Sequence, residues 1–215
     1  MTTAQSTQSS EAVFPAARCR IYREFATAFS HPDSPDSGQA PGLMGSAWSS
    51  GIRGLARLLP YEDPFAPISD PAALSTDALS EIYSSTFDVG QGALSSYGRS
   101  YPTREEKPLF EELFRFYEHF GLAFDNGLPE WPDWIVVELE FMHYLSFLEA
   151  ESSSETTSAA LRRGQRDFLE RQLVEFATGF TAALNDAAVP VYADIAHFLR
   201  AFVRADFAYL ERVAA

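Results

Sequence analysis

The chain has 215 residues, 46% of them apolar and 14% aromatic, including 18 Phe, which is enough to close a substantial core. A formal net charge of −14, with Lys107 the sole lysine, excludes nucleic-acid and anionic-membrane partners, which demand basic surfaces, and permits a basic peptide. Cys19 is the only cysteine, so neither an internal disulfide nor a cysteine metal cage is possible, and no run of 18 apolar residues is present to insert in a membrane.

Residues 1–10, MTTAQSTQSS, are polar and are expected to form a disordered tail ahead of a single helical domain over 11–215. They lack the basic and apolar regions of a secretory leader, so a soluble, cytoplasmic protein is expected. From about 11 to 30, Ile21, Phe25, Ala28 and Phe29 recur at helical spacing. A loop rich in Pro, Gly and Ser follows, then a second helix in LMGSAWSSGIRGLARLL, weakened by three glycines. Near 75–88, Leu79, Ile82, Tyr83 and Phe87 share a face, with Ser75 or Thr76 as N-cap.

The segment VGQGALSSYGRSYPTREE is predicted to be a long loop, a type that is often functional or mobile. In KPLFEELFRFYEHFG, Leu109, Leu113, Phe116, Tyr117 and Phe120 form an amphipathic stripe that Gly121 stops. LAFDNGLPEW leads into PDWIVVELEFMHYL, which reads as a buried helix, and ESSSETTS as a polar connector. Residues 158–184 carry Phe168, Leu169, Leu173, Phe176 and Phe180, and a last helix beginning near Pro190 carries Ile195, Leu199, Phe202, Val203 and Leu210. No β-branched alternation or Asn-Gly hairpin appears. The expected fold class is all-α: a compact bundle of about six longer helices plus short ones, with long loops.

No catalytic or metal site emerges. His31, His119, His143 and His197 are scattered, and Glu140 with His143 makes only a single Glu-x-x-His. Phosphate loops, dinucleotide fingerprints and a Gly-x-Ser-x-Gly elbow are all missing. Polar residues inside apolar stripes stand out instead. Glu138 lies on the stripe of Trp134, Phe141, Leu145 and Leu148; Asp206 on that of Ile195, Leu199 and Phe202; Gln172 on that of Leu169 and Phe176. A buried carboxylate needs a partner or takes a proton, so each is expected either to pair with an Arg, a Tyr hydroxyl or a helix end, or to floor a groove for a cationic peptide. Pro132 biases Trp131 away from helix, which places Asp133 at the cap or in the first turn, where it accepts from free backbone N–H groups. The flanking Trp131 and Trp134 either cover the core or wall a peptide groove.

LPEWPDWIVVELEFMHYL resembles the signature of the TorD/DmsD/NarJ redox-enzyme maturation chaperones, through Glu130, Pro132, Asp133, Glu138, Leu139, Phe141, Met142 and Leu145. IYSSTFDV, LSSYGRSYPTRE, LFRFYEHFGLAF, RRGQRDFLERQL and VYADIAHFLRAFVRADFAYL resemble further family segments in the same order, over about residues 75–210. The motif is most similar to that of chaperones serving dimethylsulfide, ethylbenzene, chlorate or selenate molybdoenzymes. Three positions depart from the pattern: Trp134 replaces the histidine after Pro-Asp, Gln172 replaces a histidine of the penultimate helix, and a common tryptophan is replaced around Phe176.

The resemblance implies a non-catalytic all-helical chaperone with no cofactor of its own, monomeric or homodimeric. Its partner would be the catalytic subunit of a molybdenum oxidoreductase, whose twin-arginine leader or N-terminal segment it holds in the cytoplasm until cofactor and subunits are in place. Some members have been linked to guanine nucleotide. An acidic, aromatic-lined groove suits paired arginines beside an apolar stretch, and the expected peptide-binding residues are Tyr97, Glu130, Trp131, Pro132, Asp133, Trp134 and Glu138. The residues alone leave two other classes open: a helical adaptor or assembly protein outside this family, and a helical enzyme with a carboxylate site.

Overall fold

In the computed structural model, which describes residues 13–33, 46–66, 68–88, 93–123 and 131–214, the apolar stripes become the buried faces of a helical bundle. The tail at 1–10 and Glu130 lie outside the described residues. Helix α1 spans Val13–Phe29 and buries Ile21, Tyr22, Phe25, Ala28 and Phe29. Helix α2, Ser46–Ala56, ends three residues before Leu59, where the sequence reading closed it, and buries Trp48, Ile52 and Ala56; positions 43–45 of that reading lie outside the described residues. Helix α3, Thr76–Tyr83, starts where the Ser75 hydroxyl accepts from the Ala78 N–H at 3.3 Å, a cap worth about 1 kcal/mol, and runs on into a π-turn at Ser84–Asp88.

Helix α4, Glu106–His119, ends as Gly121 turns back at φ +80°, a conformation an L side chain resists. Helix α5, Ile135–Glu151, buries Ile135, Val136, Leu139, Phe141, Met142 and Leu145 around more than one face, because α1 packs along one side of it and α6 along another. The polar connector after it is short: the Ser154 hydroxyl accepts from the Thr157 N–H at 3.3 Å and starts α6, Glu155–Phe168. A π-turn at Leu169–Leu173 joins α6 to α7, Val174–Asp186. Ala188 and Val191, at φ +51° and +64°, turn the chain into α8, Tyr192–Val213, which starts two residues after Pro190. Taking α6, its π-turn and α7 as one rod, the described residues hold six longer helices and the short α3. They contain no strand, only isolated bridges at Tyr97–Trp134 and Ser100–Thr103. No helix among them is long and apolar enough to cross a membrane.

Aromatic rings fill the core. Phe25 meets Trp48, Phe65 and Phe202, and Phe65 stacks on Phe198 with centroids 5.1 Å apart. One polar cluster sits among them. The buried Arg18 of α1 donates from Nε and Nη2 to both Asp206 oxygens, at 2.6 and 3.0 Å, from Nη1 to Glu149 at 3.0 Å and from Nη2 to Gln165 at 2.6 Å. Tyr22 and Tyr61 donate their hydroxyls to Asp206 at 2.6 and 3.1 Å. Burial opposes the Arg18 charge, but Asp206 and Glu149 outweigh it and hold its pKa well above the ordinary value. Four helices, α1, α5, α6 and α8, are tied at this one guanidinium.

Candidate functional site

The loop at 93–105 docks against the head of α5. The Gly98 N–H donates to the Asp133 carbonyl at 2.7 Å, and the Ile135 N–H to the Ser96 carbonyl at 3.0 Å, which makes the Tyr97–Trp134 bridge. Tyr101 then stacks on Phe176 of α7, with ring planes 10° apart. Arg104 donates to Gln172 in the π-turn at 2.6 Å, and Gln172 in turn donates to Glu112 of α4 at 2.9 Å. The loop is therefore fastened to α4, α5, α7 and the π-turn at successive points.

Asp133 does not cap α5. The N-cap is Trp134, with no side-chain cap bond, and the Asp133 carboxylate faces the loop instead. Its Oδ2 accepts from the Arg99 N–H at 3.0 Å and from Arg99 Nε at 3.2 Å. Helix α5 begins two residues after Asp133, so the first-turn N–H groups lie beyond the carboxylate while the Arg99 donors lie beside it. Burial raises the Asp133 pKa, and the Arg99 backbone bond and guanidinium pull it back.

The Arg99 guanidinium occupies an aromatic box. Its central carbon lies 4.9 Å from the Tyr97 ring centroid, 5.1 Å from that of Phe110 and 5.1 Å from that of Trp131. Nη1 donates to Glu106 at 2.8 Å. Phe110 and Trp131 pack with centroids 5.6 Å apart. The box opens to solvent, since Trp131 is 48% exposed.

Of the sequence-predicted residues, Tyr97, Trp131, Asp133 and Trp134 come together at this junction. Trp131 is exposed, Tyr97 and Trp134 are half-buried, and Asp133 is fully buried. Pro132 is buried, and its carbonyl accepts from the Tyr117 hydroxyl at 2.7 Å. Glu138 lies beneath, 1% exposed; a Cβ on Gly98 would stand 3.0 Å from its Oε1, so the loop sits close on it and a larger residue there would make the carboxylate give way. Burial, and next the charge of Asp133, push the Glu138 pKa well above the ordinary glutamate value, while Arg104 pulls it back. Asp133 Oδ1 and Glu138 Oε2 have no hydrogen-bond partner among the described residues.

Arg99 and Phe110 stand outside the sequence-predicted set. The available signal was a basic residue inside the long loop of an acidic chain, next to Tyr97 and Gly98. A groove of about 720 Å³ runs between α4 and α6 and carries both charge signs on Glu111, Glu112, Arg115 and Arg163, with Phe116 and Phe120 along it. Elsewhere, Glu140 and His143 line a cavity of about 400 Å³, where His143 Nδ1 lies 3.1 Å from the Cys19 sulfur. Among the described residues no three His, Cys, Asp or Glu side chains converge as a metal site.

The family model described as nitrate reductase delta subunit matches residues 44–182. The selenate reductase assembly chaperone protein of Thauera selenatis is 32% identical over 150 residues, covering 65% of this chain and 77% of the relative. The chlorate reductase assembly chaperone protein of Ideonella dechloratans matches with the same identity and coverage. The perchlorate reductase assembly chaperone protein of Dechloromonas aromatica is 31% identical over 178 residues, 79% of this chain and 78% of the relative. These relatives are named as assembly chaperones and not as catalysts, and on this match the chain belongs to the nitrate reductase delta subunit family, the TorD/DmsD/NarJ group of assembly chaperones.

Proposed function

We propose that this chain is a cytoplasmic, system-specific chaperone that binds the twin-arginine leader or N-terminal region of a molybdenum oxidoreductase catalytic subunit and assists its assembly and cofactor insertion before export. The observation that carries the reading is the half-open aromatic surface of Tyr97, Phe110 and Trp131, backed by the Asp133 and Glu106 carboxylates. Arginine is recognised by flat rings and carboxylates together, and that chemistry is concentrated here. In this reading Tyr97, Trp131 and Trp134 contact the segment, Glu130 contributes negative charge to it, Pro132 and Asp133 hold the junction, and Glu138 supports it from below. The groove between α4 and α6, which begins on the same helix as Phe110, receives the apolar remainder on Phe116 and Phe120.

The test is titration of a synthetic leader carrying paired arginines, followed calorimetrically. Trp131→Ala is expected to weaken binding about tenfold or more with little change in melting temperature, because half of the indole is already in water. A leader with both arginines replaced by glutamine is expected to bind as weakly. Wild-type affinity in Trp131→Ala would place the binding surface elsewhere. The client itself is identified by mass spectrometry of the protein that co-purifies from the host.

A further inference from the structure

The three-ring box is already filled by a side chain of the chaperone itself. Arg99 is not buried in the ordinary sense: its side chain keeps 21% exposure, and Trp131, one wall of its box, keeps 48%. Its guanidinium nonetheless has what a bound arginine would need, namely the faces of Tyr97, Phe110 and Trp131 and two carboxylates, Asp133 and Glu106. Arg99 engages only one oxygen of Asp133, Oδ2; the buried Oδ1 has no hydrogen-bond partner among the described residues. The main chain under Arg99 is held separately from its side chain. The Gly98 N–H bonds the Asp133 carbonyl and the Arg99 N–H bonds Asp133 Oδ2, so the side chain can rotate out while the loop stays in register.

We propose that Arg99 is a resident stand-in for an arginine of the bound segment. The guest guanidinium takes its place between Trp131 and Phe110 and on Asp133, and the Arg99 side chain moves into solvent on its fixed backbone. The exchange rests on the leader-binding function proposed above and supplies its selectivity. A lone arginine on an unrelated protein gains only what Arg99 loses, so it cannot displace the resident. A segment that adds contacts outside the box makes up the difference. The resident also lowers the fraction of molecules with an open box, and the apparent affinity falls by that fraction.

Arg99→Ala is therefore expected to bind the synthetic leader about tenfold or more tightly than wild type, the factor being the reciprocal of the open fraction. The second probe is methylguanidinium, read by the indole N–H signal of Trp131 in NMR spectra and assigned with Trp131→Phe. Saturable binding is expected in Arg99→Ala and not in wild type, and methylammonium at equal concentration should not reproduce it. Arg99→Gln serves if the alanine variant does not fold. In wild type, the Arg99 Nε–H signal should pass from protected to solvent-exchanging when leader is added, a readout that needs no variant at Arg99. Leader binding unchanged or weakened in Arg99→Ala and Arg99→Gln, or an Arg99 signal that stays protected in the complex, overturns the exchange and makes Arg99 a fixed part of the surface. If the leader fails to bind wild type at all, the leader reading falls, and methylguanidinium still decides whether the vacated box is an arginine site.

Discussion

Asp206 receives two bonds from Arg18 and one each from Tyr22 and Tyr61, whereas Glu138 lies under Gly98 with one oxygen unpartnered among the described residues. Burial lifts the folded-state pKa of Glu138 above its unfolded value, so the folded chain holds that proton more tightly. The stability it contributes is complete below the unfolded pKa and is lost as pH rises through the folded one. Glu138→Gln keeps the shape and removes the titration. The melting temperature of the variant minus that of wild type is expected to become more positive between about pH 5 and about pH 8, as measured by calorimetry; a constant difference would show that folding does not raise the pKa of Glu138. Periodicity alone marked Glu138, Gln172 and Asp206 as polar residues on buried faces, because steps of three and four fix a helix face. Their partners were not legible. Arg18 lies 188 positions from Asp206, and nothing local in the chain encodes that meeting.

At the scale of elements, the 93–105 loop depends on a close approach to α7. A Cβ on Gly179 would fall 2.8 Å from the Tyr101 Cβ and 3.4 Å from its Cα, so the helix and the loop backbone pack with no side chain between them. Gly179→Ala would improve helix propensity, but it must push Tyr101 off Phe176. The net effect is expected to be a loss of about 1–3 kcal/mol in denaturant unfolding, together with weaker leader binding as the loop carrying Tyr97 shifts. A gain in stability would show that Tyr101 yields without strain. Helix existence was legible throughout, since amphipathic stripes and caps such as Ser75 act locally. The π-turn at 169–173 was not, because widening one turn hardly alters an apolar period that the sequence showed as continuous. Nor was the role of Asp133: an acid before a helix reads as a cap, and only the folded loop supplies the competing donors of Arg99.

The whole molecule carries a formal charge of −14, which shapes how partners arrive more than how tightly they stay. Association with a basic leader is expected to slow about tenfold between roughly 50 and 500 mM salt in stopped-flow measurements, with dissociation changed much less; salt-independent association would remove any steering role for the acidic surface. The all-helical class was readable from the apolar periodicity and the acidic character from composition, while the position of the box was not, because Tyr97, Phe110 and Trp131 come from three separate segments.

The Arg18 cluster has a bearing on biosynthesis. Its twofold acceptor stands on the last of the described helices, so the α1 guanidinium is synthesised 188 residues ahead of the carboxylate that takes two of its bonds. The four-helix knot can close only once Asp206 has cleared the ribosome, and a nascent chain halted short of that residue holds the Arg18 cation with Glu149 alone of its two carboxylate partners.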